Sequence, residues 1–116
     1  MHADAAWSEF QDEGEYDLVN LTPRSTGLPM VVFASYRKGA KHDAQLTVSQ
    51  VHGARMDSDN VAVVGIRPSP RVLHGALPKS DLELVTRWIE LNHQALIDFW
   101  EERLDGAEFA LALKPL

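Results

Sequence analysis

The chain reads as an α+β domain in which an antiparallel sheet of four to five strands packs against one long C-terminal helix, with a short terminal helix closing one edge. Three observations predict this. Residues 16–74 are built of short β-branched and aromatic runs separated by turn residues. From residue 81 the apolar period changes to that of a helix and holds for about six turns. The length of 116 residues, 45% of them hydrophobic and 24% charged, suits one globular core.

Residues 1–14 form an acidic arm in which Trp7 and Phe10 are the large apolar residues, so it is either a mobile arm or a short segment docked by those two rings, with docking through Trp7 the favoured expectation. Residues 15–116 form the single domain. A first strand is predicted over 16–21. Residues 22–29 concentrate Thr, Pro, Ser and Gly and read as a loop. Residues 30–36 are nearly all apolar, which predicts a strand covered on both faces. Residues 45–49 alternate, which predicts a strand with one wet face. Arg37 to Lys41 makes a basic turn between them, and Asp57 to Asn60 makes another turn. A strand over 61–67 follows, with Gly65 marking a bulge, and Pro68 and Pro70 end it. Residues 71–74 are short enough for an edge strand.

Ser80 and Glu83 have the spacing of a capping box, which places the start of the long helix near Asp81 and its span over 81–103. At 100° per residue, Leu82, Val85, Trp88, Ile89, Leu96, Phe99 and Trp100 share one stripe, and Glu83, Arg87, Glu90, Gln94, Asp98 and Glu101 lie opposite. Trp88, Phe99 and Trp100 are therefore read as core anchors. Asp105 and Glu108 repeat the cap pattern for the terminal helix, which Pro115 stops from extending.

The net charge of −6 is unevenly laid out. Residues 1–20 hold six acids and no Lys or Arg, residues 21–79 hold eight basic residues and three acids, and residues 80–116 hold eight acids and three basic residues. A basic middle between acidic ends is either balanced within the fold or turned toward an anionic partner. No apolar run reaches the roughly 18 residues that span a bilayer, and the first 20 residues lack the basic start and apolar core of a secretory signal. The absence of cysteine removes disulfides and thiolate metal sites and agrees with a cytoplasmic protein.

No catalytic set is recognisable. There is no G-x-S-x-G, no phosphate-binding glycine loop, and no pair of histidines at helical metal-ligand spacing, so neither a metal nor a cofactor is expected. Asp57-Ser58-Asp59 begins like a calcium loop but lacks its later ligands. His42 and His52 flank one predicted strand, where they could meet Asp57 or Asp59 in a polar site. Asn92 falls inside the apolar helix stripe, where a buried carboxamide needs partners and would fix a loop or a partner's backbone. Arg37, Lys38, Lys41, Arg67 and Arg71, together with Arg55, lie in turns and at strand ends, and Tyr36 beside them offers a ring for stacking.

From Val72 onward, the run Val72-Leu73-His74-Gly75-Ala76-Leu77-Pro78-Lys79, the helix from Leu82 to His93, the pair Leu96 and Trp100, and the closing Lys114-Pro115-Leu116 resemble a small bacterial family, the domain of unknown function numbered 4160. That family carries a Pro-Pro-His-x-His strand in its first half, onto which His42 alone maps. Its members are often encoded beside toxin and antitoxin-like genes, which implies a regulatory or partner-binding role. The expectation is a non-enzymatic module that binds a protein partner, or a second copy of itself, through a strand edge and the loops around 22–29 and 67–71. Arg37, Lys38, Lys41, Arg67 and Arg71 are its candidate contacts, and His42, His52 and Asn92 are candidate polar positions. The alternative expectation is a nucleic-acid-binding or nuclease-like protein that uses the basic middle.

Overall fold

The computed structural model describes residues 19–36 and 42–116. The acidic arm with Trp7, the start of the first strand, and Arg37, Lys38 and Lys41 lie outside the described residues. Strand β1 (Val19–Leu21) leads through a short helix α1 (Pro23–Thr26) into β2 (Met30–Ala34), β3 (Gln45–His52), β4 (Val61–Gly65) and β5 (Arg71–His74). Helices α2 (Lys79–Leu91), α3 (His93–Trp100) and α4 (Gly106–Ala112) follow. The fold is α+β, with a five-stranded antiparallel sheet whose spatial order, β1-β2-β3-β4-β5, is the order of the chain.

Alternation along the strands sends Met30, Val32, Leu46, Val48 and Val64 to the helix side of the sheet. There they join Val85, Trp88, Ile89, Phe99 and Phe109 in one cluster. Phe99 and Phe109 stack with ring centroids 4.4 Å apart, which fixes α4 against α3. The other face is buried as well. Val31, Thr47, Ser49, Val61 and Val63 are all buried, so the wet face expected for residues 45–49 is absent. Burial there is set by what covers the sheet, which alternation within one strand does not encode.

The register slips between Met30 and Val32 where β2 meets β3. Ser49 repairs this stretch locally, its hydroxyl donating to the Val51 carbonyl at 2.9 Å and accepting from the Val51 amide at 3.2 Å. A second slip, in the β4 and β5 pairing, falls between Val63 and Val64 beside Gly65. Leu73 packs closely over Gly65, since a Cβ there would lie 3.2 Å from Leu73 Cδ1.

Several expectations are corrected. The long helix is two helices, α2 and α3, interrupted at Asn92 with φ −112° and ψ 18°. Ser80 does not cap α2, because Pro78 occupies the N-cap and the helix begins at Lys79. The loop over 22–29 contains α1, with proline in its first turn. The strands predicted over 30–36 and 61–67 end earlier, at Ala34 and Gly65. At α4 the capping box forms as read: Asp105 accepts from the Glu108 amide and Glu108 from the Asp105 amide.

Candidate functional site

Three ionic residues meet where β3 begins, β4 ends and α3 ends. Arg67 Nε donates to both Asp43 carboxylate oxygens at 2.9 and 3.1 Å, and its Nη2 donates to Glu101 at 2.9 Å. The planar guanidinium is what allows one side chain to hold two acids. Burial works to raise the Asp43 pKa but is outweighed by the hydrogen bonds from the Ala44 amide and from Arg67 and by the charges of Arg67 and Arg71, so the carboxyl stays below its ordinary value. Hydrogen bonding to Glu101 and then to Asp43 raises the Arg67 pKa further above its usual range. Arg71 Nη1 donates to the carbonyls of Arg67 and Ser69, which span a cis Arg67-Pro68 peptide. Beside them His42 Nδ1 donates to the Asp43 carbonyl at 3.0 Å, and its ring lies 5.4 Å from that of Trp100.

His42, Arg67 and Arg71 therefore come together at one corner, where acids already neutralise Arg67. His42 and His52 do not meet. They lie at opposite ends of β3, whose eight residues span roughly 23 Å at the usual rise per residue. Nor does Asp57 reach His52, since its carboxylate accepts from the Asp59 amide and the Asn60 side chain within its own turn.

His52 pairs instead with Asp81. Its Nε2 contacts the two carboxylate oxygens at 3.0 and 2.9 Å. The Asp81 side chain is 6% exposed and that of His52 58%. Two residues earlier in the strand, Gln50 Nε2 donates to the Ala76 carbonyl at 2.7 Å. The two bonds staple the projecting end of β3 to the approach and first turn of α2. A buried carboxylate orienting an exposed imidazole has the form of a general base. Neither the groove lined by Lys79, Leu82, Glu83, Thr86 and Arg87 nor the one lined by Tyr36, Phe99, Glu102, Leu104 and Asp105 includes the pair.

Asn92 is buried and fully engaged. Its Nδ2 donates to the carbonyls of Trp88 and Lys114, and its Oδ1 accepts from the Lys114 amide. It fixes a segment of backbone, here the tail of its own chain. The Leu116 amide then donates to the Thr26 carbonyl at 2.8 Å.

Strand β5 lies at one end of the sheet order. Leu73 upon it is 47% exposed, and Val51 on β3 is 45% exposed. Sequence reading missed Asp81 and Glu101 as partners of His52 and Arg67, because 29 and 34 residues separate the pairs and neither spacing is a local signal. Among the described residues, no group of three or more His, Asp or Glu is placed to hold a metal ion, and no helix is long and apolar enough to cross a membrane. No family model matches the chain, and no curated protein or solved structure is significantly similar to it.

Proposed function

We propose that this chain is a non-enzymatic, cytoplasmic protein-interaction module that receives an extended segment of a partner protein along β5. The observation that carries the reading is the position of β5 at the end of the sheet with Leu73 half exposed upon it. An outer strand offers backbone donors and acceptors for one more strand, and its exposed apolar side chain supplies a contact for the incoming chain. The pairing of Arg67 with Asp43 and Glu101 supports a protein partner over a nucleic acid, because a guanidinium held by two carboxylates is a poor phosphate ligand. The resemblance of residues 72–116 to the family numbered 4160 supports a regulatory setting, such as that of a toxin and antitoxin pair.

The test is capture from host lysate by the full tagged chain and by its Leu73→Lys variant, with and without nuclease. The expected result is a stoichiometric protein that survives nuclease and is reduced at least about tenfold by Leu73→Lys, a charge that discourages edge pairing. A captured set that disappears with nuclease would replace this reading with the nucleic-acid one.

A further inference from the structure

The sheet has two buried faces, and the described helices account for one. All of α2, α3 and α4 contribute to the cluster that contains Met30, Val32, Leu46, Val48 and Val64. Val31, Thr47, Ser49, Val61 and Val63 point the opposite way, yet none exceeds 4% exposure. The middle strands of an uncovered sheet leave such side chains in contact with water on one face. Exclusion to this degree within a single chain calls for a cover supplied by the same chain.

We infer that the outer face of the sheet is the docking surface of the chain's own N-terminal segment, residues 1–18, seated through Trp7 and Phe10. The segment runs directly into β1, next to the strand that carries Val31. Eighteen residues reach up to about 60 Å when extended, whereas five strands are only about 20 Å across, so length is no obstacle. Three aromatic rings, those of Trp7, Phe10 and Tyr16, among six acids match a small apolar face, because rings fill its centre and carboxylates stay at the wet rim. Val51 and Leu73, both about half exposed, stand at that rim. A second copy of the chain is the rival occupant.

The chain has no cysteine, so Thr47→Cys places a single thiol at the centre of this face. The Thr47 hydroxyl makes no hydrogen bond that the change would remove. In the full chain, maleimide labelling of this thiol is expected to be slower by on the order of 100-fold than in the urea-unfolded chain, as for a site opened only by rare fluctuations. Adding Trp7→Ala and Phe10→Ala should restore most of that reactivity, while a thiol at Ala34 on the helix side stays protected in both backgrounds. Val63→Cys on the neighbouring strand repeats the measurement should Thr47→Cys fail to fold. Fast labelling of the full chain, or protection indifferent to Trp7 and Phe10, would overturn the assignment. Protection that strengthens with protein concentration would also overturn it, in favour of a second copy.

Discussion

Asn92 holds the backbone of Lys114 at both of its polar groups, accepting from its amide at 2.7 Å and donating to its carbonyl at 2.9 Å. A carboxamide presents a donor and an acceptor side by side, as a neighbouring strand would, and no other uncharged side chain except Gln does so. Asn92→Leu should therefore lower stability by about 1 to 3 kcal/mol, since it removes both bonds that hold the Lys114 backbone. Urea unfolding of the full chain measures this. A rise in stability would show that burial of the amide costs more than its bonds return.

His52→Ala should strand the Asp81 carboxylate in the first turn of α2, where it is nearly excluded from water. The expected loss is about 1 to 3 kcal/mol, and a carboxylate left buried dominates it. Asp81→Asn in the His52→Ala background should recover part of the loss, because the stranded charge is then gone. Equal stability of His52→Ala and Asp81→Asn/His52→Ala would contradict the pairing.

The lowered pKa of Asp43 gives a signed pH dependence. The folded carboxyl ionises more readily than the unfolded one, so its contribution to stability is complete above the ordinary value of 3.8 and is lost as pH falls below it. Carbon-detected titration of Asp43 should give a midpoint below 3.8, and Arg67→Met should move that midpoint upward by removing the guanidinium. An unmoved midpoint would mean that Arg67 does not hold Asp43 in solution.

Gly27 and Gly53 both have positive φ, 79° and 125°, but differ in their surroundings. A Cβ at Gly27 would lie 2.8 Å from the Leu116 carbonyl oxygen, whereas one at Gly53 meets nothing within 4 Å. Both alanine variants carry backbone strain of about 1 to 3 kcal/mol. Gly27→Ala should cost more, because it also pushes away the tail that bonds to Thr26. Thermal melts of the two variants compare them directly, and equal losses would show that the tail is held independently of Gly27.

The strands were legible because β-branched residues and turn residues alternate in blocks; the four residues of β5 were legible as short enough for an edge strand, while the order of strands in the sheet was not legible, since no local pattern encodes it. The Asp105 cap was legible because both halves of the motif are local. The same motif misled at Ser80, since a proline two residues earlier took the N-cap and left the hydroxyl inside the first turn. Helix α1 has no apolar period over Pro-Arg-Ser-Thr, so nothing in its pattern marked it. Residues 45–49 alternate as a half-wet strand does, yet Thr47 and Ser49 are buried by what lies across the sheet. In the candidate site, the need of Asn92 for partners was legible and their identity was not. The contacts of His52 and Arg67 depend on which strand end meets which helix end, and side-chain spacing carries no such information.

The agreement between strand order and chain order has a kinetic consequence. Each pairing in the sheet joins strands consecutive in the chain, so loop-closure entropy is smaller at every step than for a sheet with crossover connections. The bond from Leu116 to Thr26 joins segments far apart in sequence. The tail is therefore the part that can attach after the sheet has formed, and detach before it, which makes Asn92 a brake on opening of the native state rather than a guide to its assembly.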